Sequence, residues 1–401
     1  MSDDDLLRAL VREHGTPLYL LDLDMALERA ARLDAFDTVR YAQKAHPGLA
    51  LLRALAAAGH SVDATSGFEI LRARAAGFPA ERIELATDVL DRATLEVAVR
   101  EGVRANLGSA DLIEAYAASG AHPECTLRIN PGFGSGHSRR VTTGGPHSKH
   151  GIWHEEFPAA LERAERAGLR VSGLHVHIGS GVELEGLSQT IAAMEQALRH
   201  APDSVVRISA GGGLAVPYDG GPEFPVERYA AAWLEARARW QVELGRSLHL
   251  EVEPGRYLVA PAGRMVSEVR ACKETPEWSW VLVDAGFHTL ARPLLYGSYH
   301  RMSLVGAESR PLRPTVVAGP LCESGDVLTQ SPSGEPRPVE LPEARPGDLL
   351  VIHDTGAYGI SMASNYNGFP LPAEVVLEGG QPRLARRRQS FDDLLALEQD
   401  L

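Results

Sequence analysis

The feature that most constrains the fold is a regular alternation of strand-like and helix-like segments between about residues 39 and 253. Eight strands alternating with helices over about 240 residues are typical of a (β/α)8 barrel. An open doubly wound sheet is the alternative, but no Gly-x-Gly-x-x-Gly turn follows the first strand. We therefore predict an α/β fold with a TIM-type (β/α)8 barrel. The predicted strands lie near 39–42, 61–65, 82–87, 103–108, 125–130, 171–178, 204–210 and 248–253, with helices such as Leu49–Ala58, Phe68–Ala76, Ala93–Arg100, Pro158–Ala167, Leu187–Arg199 and Val226–Leu244 between them.

The pattern changes after Pro254, where short strand-like runs alternate with Gly, Pro and polar turns and long helices are lacking. This pattern predicts a second domain made mostly of β-strands. The strand-like run at 17–21 precedes the barrel pattern, so we expect it to join this second domain. We predict a barrel at 24–262 and a β domain formed by 1–23 and 263–401. Its strands are predicted at Val266–Val269, Trp280–Val283, Thr315–Ala318, Asp348–His353 and Ala373–Leu377, with a surface loop at Ser331–Arg337.

Charge and cysteine content limit the class of protein. The formal net charge of -13 argues against nucleic acid or an anionic membrane as a partner. Cys125, Cys272 and Cys322 are too few for a disulfide framework and are not at zinc-binding spacing. The acidic start of the chain has no apolar segment of the kind found in signal peptides. We therefore expect a reduced, cytoplasmic protein.

A single lysine, Lys44, follows the first predicted barrel strand and precedes the Pro47-Gly48 turn. Active sites of (β/α)8 barrels lie at the carboxyl ends of the strands. A desolvated lysine at that position could form a Schiff base with a carbonyl compound or with pyridoxal phosphate. The alternative is an ordinary solvated lysine at a strand end, so Lys44 needs partners elsewhere in the chain.

Three further motifs fall at the carboxyl ends of predicted barrel strands: His175–Gly181, Ser209–Gly213 and Glu253–Arg256. Glycine-rich turns after the last two strands are the usual phosphate-binding site of this fold, although glycine runs are more often simple turns. The His175/His177 pair leaves three interpretations open: a metal site, a core hydrogen bond, or His177 stacking on an aromatic cofactor. Because no carboxylate lies beside the pair at a familiar spacing, we predict no metal site.

Six motifs in order resemble those of the fold-type III pyridoxal-phosphate decarboxylases, and most closely the diaminopimelate decarboxylase family. The similarity extends from about Thr16 to Leu397. It implies a pyridoxal 5'-phosphate cofactor and the barrel-plus-β-domain architecture. The motifs are Lys44 within Ala42–Ala45, His175–Gly181, Gly211–Gly213, Glu253–Arg256, Gly319–Asp326 and Asp354–Tyr358, and the match is extended by Arg128–Gly132, Thr143–Gly144, Ser148–Lys149 and Ser364–Asn367.

The resemblance implies a cofactor-binding role for the barrel motifs. Lys44 would hold the cofactor as a Schiff base, and His177 would stack on its ring. Glu253 would pair with the pyridine nitrogen and keep it protonated, so that the ring accepts the electrons left when carbon dioxide departs. Related racemases have an arginine near that nitrogen, so Glu253 favours a decarboxylase. The remaining implied cofactor-binding residues are Ser180, Gly212, Gly213, Pro254, Gly255, Arg256 and Tyr358.

The resemblance also implies a homodimer in which Cys322 and Glu323 enter the active site of the other subunit. Cys322 would supply a proton to Cα after decarboxylation, and Glu323 would bind the distal amine. The implied reaction is decarboxylation of meso-2,6-diaminopimelate to L-lysine, the last step of bacterial lysine biosynthesis. Its distal carboxylate needs cationic and hydrogen-bonding partners. The implied substrate-binding residues are Arg256, Arg292, Tyr296, Glu323 and Tyr358.

Four residues depart from the common pattern of the family: His46, Phe68, His288 and Thr289. They leave open a second hypothesis, a decarboxylase of a related diamino acid in a specialised pathway. We expect His46 and Phe68 near the cofactor edge and His288 near the substrate-binding arginines. A non-catalytic homologue that binds a partner is a third hypothesis. It is disfavoured because inactive relatives lose the Schiff-base lysine or the cysteine motif, whereas this chain retains Lys44 and Cys322.

Overall fold

The computed structural model describes residues 2–136 and 142–399 and divides into two compact units. The barrel unit comprises Leu27–Val216 and Pro222–Leu258. The β unit comprises Met1–Ala26, Pro217–Gly221 and Val259–Leu401. Segment 217–221 lies inside the sequence range of the barrel but groups with the β unit, an assignment that the sequence pattern did not predict.

The strands and helices of the described residues are numbered along the chain. The strands are β1 (Leu18–Asp22), β2 (Thr38–Ala42), β3 (Ser61–Ala64), β4 (Ile83–Thr87), β5 (Arg104–Leu107), β6 (Glu124–Asn130), β7 (Ile152–Trp153), β8 (Arg170–Val176), β9 (Arg207–Ser209), β10 (His249–Val252), β11 (Gly263–Glu274), β12 (Ser279–Val283), β13 (Met302–Leu304), β14 (Leu312–Ala318), β15 (Val339–Pro342), β16 (Leu349–Ile352), β17 (Ala373–Glu378) and β18 (Gln381–Arg386). The helices are α1 (Asp3–His14), α2 (Leu23–Ala31), α3 (Leu49–Ala57), α4 (Gly67–Ala76), α5 (Arg92–Glu101), α6 (Leu112–Ala118), α7 (Phe157–Arg166), α8 (Leu184–Leu198), α9 (Val226–Leu244), α10 (Arg256–Val259), α11 (Arg292–Tyr296) and α12 (Phe391–Leu395).

The predicted barrel is confirmed. Eight parallel strands pair in the order β2-β3-β4-β5-β6-β8-β9-β10, and pairing of β10 with β2 closes the cylinder. The two-residue strand β7 adds beside the end of β6. Both faces of these strands are covered, because one face packs on helices and the other fills the barrel. All four residues of β3 are buried, for example.

Helices between the strands begin and end at residues suited to those positions. Ser66 caps α4 by accepting a hydrogen bond from the backbone N–H of Glu69, and Gly77 ends the helix in a left-handed conformation. Asp91 caps α5 in the same way through the N–H of Thr94. These side chains satisfy backbone donors that the first helical turn leaves without partners. The local sequence therefore sets the position of α4 and α5.

A cluster of oppositely charged side chains lies inside the barrel. Arg40 Nη2 lies 2.7 Å from Glu251 Oε2, and its Nε lies 3.4 Å from Glu84 Oε2. Arg104 and Arg207 also contact Glu84, at 3.4 and 3.6 Å. Burial alone would raise the pKa of Glu84, but the guanidinium groups of Arg207 and Arg40 lower it below its ordinary value. Each charge in this cluster is therefore matched by a partner of the opposite sign.

We predict that Glu84→Gln destabilises the protein by about 3–5 kcal/mol, because it leaves buried guanidinium groups short of negative charge. Glu378→Gln is the matched control. It removes a carboxylate from the exposed Arg383–Glu378 pair, whose atoms are 3.2 Å apart, and should cost about 0–1 kcal/mol. Urea unfolding followed by circular dichroism measures both changes. Equal, small losses in the two variants would contradict a structural role for the cluster.

The β unit is organised around β11, which pairs with β1, β12 and β16. Strand β1, the amino-terminal strand, lies between β11 and β17 of this sheet. Helix α1 packs on the sheet through Leu7 and Leu10, which share a core with Val375 of β17. Strands β13, β15 and β18 were not among the predicted strands. No helix among the described residues is long and apolar enough to cross a membrane.

Candidate active site

Lys44 lies just beyond the end of β2, in a 3-10 turn formed by Gln43–Ala45. The two flanking residues are buried, whereas Lys44 is exposed. Gln43 fixes the turn by donating from Nε2 to the backbone carbonyl of Glu69 at 3.0 Å. The buried neighbours hold the backbone while the amine extends from the carboxyl end of the barrel strand. The prediction that Lys44 stands at this end of the barrel therefore agrees with the structure.

Glu253 is a buried carboxyl group that directly follows β10, 8% exposed. Its Oε1 accepts a hydrogen bond from Ser209 Oγ at 2.6 Å, and Ser209 Oγ in turn accepts from the N–H of Gly211 at 3.1 Å. Burial raises the pKa of Glu253 to about 7, against the lowering effect of the Ser209 hydrogen bond. The carboxyl group can therefore hold or release a proton near neutral pH.

The glycine run after β9 bends where other side chains would collide. A Cβ on Gly212 would lie 2.2 Å from the carbonyl oxygen of Glu253. Gly213 has a φ of +99°, and a Cβ there would lie 2.2 Å from the carbonyl oxygen of Gly179. These close approaches require glycine. They join the ends of β8, β9 and β10 into one rim of backbone.

His177 and His175 project near each other, with ring centroids 6.4 Å apart and planes 11° from parallel. Gly212 donates its N–H to His177 Nδ1 at 3.3 Å, so a neutral His177 carries its proton on Nε2. Burial and the positive charge of Arg128 lower the pKa of His177 well below its ordinary value. His177 is therefore a neutral ring with a fixed tautomer.

His175 satisfies a core hydrogen bond, one of the three interpretations left open by the sequence. Its Nδ1 accepts from Asn106 Nδ2 at 2.8 Å, which places the proton on Nε2. His175 Nε2 lies 3.2 Å from Glu253 Oε2, but the angle between the two groups is not that of a hydrogen bond. Burial and Arg128 lower the pKa of His175 to about 3. Within residues 2–136 and 142–399, no group of three or more His, Cys, Asp or Glu side chains could hold a metal ion.

Asp63 and Arg128 are two charged residues of this region whose roles the sequence did not reveal. Burial and the neighbouring Glu253 raise the pKa of Asp63 well above its ordinary value, and Lys44 opposes that shift. Nε and Nη2 of Arg128 are buried and have no hydrogen-bond partner. A period-two reading of β3 and β6 could have identified both as inward-facing charges, because alternate strand residues point to the same side.

In the β unit, Arg292 opens α11 and is 1% exposed. Its Nη1 lies 2.8 Å from His300 Nε2, and its Nη2 lies 3.3 Å from Ser298 Oγ. The guanidinium carbon lies 4.5 Å from the ring centroid of Tyr218. Tyr296, at the end of the same helix, is half-buried. The structure thus holds Arg292 by contacts that the sequence motif did not predict.

Cys322 and Glu323 are both exposed and lie in the loop after β14. The N–H of Cys322 donates to Asn367 Oδ1 at 3.2 Å. Glu323 hydrogen-bonds to the hydroxyl of Tyr366, which raises the pKa of that tyrosine. The Ser364–Asn367 motif therefore supports the cysteine loop. Asp326 stabilises the same loop, because its carboxylate accepts a hydrogen bond from the N–H of Leu321 at 2.8 Å.

Tyr358 is half-buried in the loop after β16, with a φ of +58°. A positive φ is uncommon for a residue with a side chain and is often found at functional sites. In the barrel unit, Ser180 is half-buried, whereas Arg256 is 8% exposed. Pro254, between Glu253 and Gly255, accepts a hydrogen bond from the N–H of Ala42 at 3.0 Å. The roles of these residues toward cofactor and substrate stay predictions.

The four departures from the family pattern differ in their surroundings. His46 is 2% exposed and accepts the N–H of Gly48 at 3.3 Å on Nδ1. Phe68, in the first turn of α4, is 85% exposed. His288 packs against Phe369 at 4.7 Å, and burial lowers its pKa to about 4, so it adds no positive charge at neutral pH. Thr289 exchanges hydrogen bonds with the backbone of Gly286, as a turn-forming threonine does.

Comparison with known proteins identifies the family. Residues 24–260 match the pyridoxal-dependent decarboxylase, pyridoxal binding domain. The chain is 48% identical to the diaminopimelate decarboxylase of Streptomyces coelicolor, over 99% of this chain and 92% of that protein. The chain belongs to the pyridoxal-dependent decarboxylases.

Solved structures of decarboxylases agree with this assignment. A crystal structure of diaminopimelate decarboxylase superposes with a TM-score of 0.94 at 45% identity, covering 98% of this chain and 96% of the other. The Helicobacter pylori diaminopimelate decarboxylase in complex with L-lysine superposes with a TM-score of 0.87 at 29% identity, covering 98% and 99%. The resemblance inferred from the six motifs is therefore confirmed.

The barrel residues fit the pyridoxal phosphate that this decarboxylase family binds. The rim at Gly212 and Gly213 leaves no room for side chains, so the backbone can approach a phosphate closely. Glu253 offers a buried carboxyl group for a ring nitrogen, and His177 offers a neutral ring face. Lys44 offers an amine that can form a covalent bond with an aldehyde. These four features are what a phosphorylated pyridine aldehyde requires.

We predict that borohydride reduction of the purified decarboxylase attaches the cofactor permanently to Lys44, because an imine is reduced to a stable amine. The chain has only two other lysines, Lys149 and Lys273. Peptide mapping by mass spectrometry should find the label on Lys44 alone. Lys149→Arg and Lys273→Arg should leave labelling unchanged. A label that persists in Lys44→Arg would contradict the assignment.

Proposed function

We propose that this protein decarboxylates meso-2,6-diaminopimelate at its D centre, releasing L-lysine and carbon dioxide as the last step of bacterial lysine biosynthesis. The observation that carries the proposal is the buried carboxyl group of Glu253 in a pyridoxal-binding barrel, since an acid at the pyridine nitrogen favours decarboxylation. Relatives over nearly the whole chain that are named diaminopimelate decarboxylase support the choice of substrate. A decarboxylase of a related diamino acid is the alternative outcome of the tests below.

Several barrel residues have separate roles in binding the cofactor. Bound pyridoxal phosphate accepts the electron pair that remains at Cα when carbon dioxide leaves. Glu253 holds a proton on the pyridine nitrogen, and the hydrogen bond from Ser209 keeps its carboxyl group oriented. His177, with its tautomer fixed by Gly212, offers a neutral face for stacking. Lys44 would bind the aldehyde carbon through its amine, and the substrate amine would displace the lysine amine from that carbon.

We assign phosphate binding to backbone and hydroxyl groups of the family motifs. Gly213 and Gly255 offer N–H groups, and Ser180 and Tyr358 offer hydroxyl groups. Gly212, whose N–H contacts His177 Nδ1, contributes by having no side chain that would block the phosphate. Such donors suit a phosphate because they bind it without needing a matching positive charge for every oxygen. The close approach required at Gly212 and Gly213 supports this assignment.

We assign recognition of the distal end of the substrate to charged side chains. Arg256, Arg292 and Tyr296 bind the distal carboxylate, and Glu323 binds the distal amine. A guanidinium matches a carboxylate through two parallel hydrogen bonds. A site of this kind discriminates against an amino acid without the second carboxylate, because its own polar groups are then left without partners.

We predict that Arg292→Ala lowers kcat/KM for diaminopimelate by about 10²-fold, as expected when one partner of a buried charge pair is removed. The dissociation constant of L-lysine, which lacks the distal carboxylate, should change little. Steady-state kinetics and a titration of the cofactor absorbance measure these two quantities. Arg313→Ala, on the exposed Arg313–Glu274 pair, is the control and should behave as wild type. Equal losses for both ligands would contradict carboxylate recognition by Arg292.

We further propose a homodimer in which Cys322 and Glu323 of one subunit complete the active site of the other. Both side chains are exposed on the single chain, although decarboxylation benefits from a site that excludes water. Cys322 then supplies the proton that replaces the carboxylate at Cα. The protein acts in the cytoplasm, which its cysteine content and acidic charge support.

Mixed dimers test this arrangement. Lys44→Ala and Cys322→Ala should each be nearly inactive, whereas dimers with one subunit of each kind should regain activity, because one of their two sites has both residues intact. The measurement is carbon dioxide release after the two variants are refolded together, with mixed dimers isolated by two affinity tags. Cys272→Ala, another exposed cysteine of the β unit, is the control and should be fully active alone. Mixed dimers without activity would contradict shared sites.

A further inference from the structure

Arg292 is held by a specific hydrogen-bond chain inside the β unit. His300 Nδ1 lies 2.8 Å from the backbone carbonyl oxygen of His353, and its Nε2 lies 2.8 Å from Arg292 Nη1. A carbonyl only accepts and a guanidinium only donates. His300 must therefore donate from Nδ1 and accept on Nε2, which makes it a neutral ring with the proton on Nδ1.

Aromatic contacts fix the same guanidinium from another side. The guanidinium carbon of Arg292 lies 4.5 Å from the centroid of the Tyr218 ring, close enough for a cation–π interaction. Tyr218 also packs edge-on against His300, with centroids 5.3 Å apart and planes at 74°. Tyr218 belongs to the short segment 217–221 that groups with the β unit. Buried Arg292 and His300 and half-buried Tyr218 therefore form one contacting group, which we call the arginine clamp.

We propose that His300 is a positioning residue for substrate specificity: as a neutral acceptor it orients Arg292 toward the distal carboxylate of the substrate without neutralising its charge. This inference rests on the proposed function of Arg292. An acidic partner in place of His300 would orient the guanidinium equally well but would cancel its attraction for a carboxylate. A protonated histidine would repel it. A neutral acceptor meets both requirements, and the fixed tautomer makes His300 such an acceptor.

The clamp also lowers the entropic cost of binding. An arginine side chain has many rotamers, and part of this freedom is lost whenever the guanidinium is immobilised by a ligand. At 1% exposure, between the Tyr218 ring and His300, Arg292 has lost that freedom already in the folded chain. Carboxylate binding then needs little further ordering, which is preorganisation.

Two substitutions at His300 separate its two hydrogen bonds. Asn places an amide N–H near the position of Nδ1, so His300→Asn keeps the bond to the His353 carbonyl but loses the acceptor for Arg292. Gln places an amide oxygen near the position of Nε2, so His300→Gln keeps the acceptor. We expect KM for diaminopimelate to rise about tenfold in His300→Asn and to stay within about threefold of wild type in His300→Gln. Both variants should keep the wild-type kcat, cofactor content and dissociation constant for L-lysine.

Ser303→Ala is the matched control. It removes the partner of His353 Nε2, 2.9 Å away, and leaves the bonds of Arg292 in place, so KM should not change. Equal effects of Asn and Gln, or an equal loss of affinity for L-lysine, would overturn the positioning role and indicate packing alone. Arg292→Ala separates the proposed role of His300 from the proposed role of Arg292. If it weakens diaminopimelate selectively while His300→Asn does not, the clamp is wrong and the assigned role of Arg292 stands.

Discussion

The buried carboxyl group of Glu253 is the interaction on which the rest of the barrel site depends. Its orientation comes from Ser209, which is itself bonded to the N–H of Gly211, while the N–H of Glu253 donates to the Gly211 carbonyl at 2.8 Å. Gly212 then fixes His177. One hydrogen-bond chain across three neighbouring strand ends therefore sets the position of the acid, the stacking ring and the glycine rim together. A shift in the register of β9 would displace all three.

Glu84 and Glu253, two carboxyl groups inside the barrel, differ in pKa because their neighbours differ. Glu84 lies among three arginines, and its pKa is lowered despite burial. Glu253 has a hydroxyl group and a neutral histidine as its nearest partners, and its pKa is raised to about 7. Glu84 thus belongs to a cluster in which opposite charges contact one another. Glu253 instead holds a proton that can be exchanged near neutral pH, which suits chemistry at a ring nitrogen.

The sequence predicted most of the barrel because strand-like and helix-like segments alternate regularly along it. It was least accurate where elements are short: β9 has three residues within a predicted run of seven, and β13 was missed. Residues within motifs at strand ends could be named from the sequence. The residues that orient them could not: Tyr218 and His300 are 82 positions apart in the numbering, and no pattern reveals which nitrogen of His300 carries the proton.

The buried charged residues fall into two groups, those with charged partners and those with neutral partners. Glu84 and Arg40 are matched by charges of opposite sign, as expected for groups whose role is structural. The contacts described for Glu253 and Arg292 are instead with neutral groups that orient them: Ser209 for the acid, and His300 and Tyr218 for the base. These contacts orient the carboxyl group and the guanidinium group. They support the proposed role of Glu253 toward a ring nitrogen and the proposed role of Arg292 toward a substrate carboxylate.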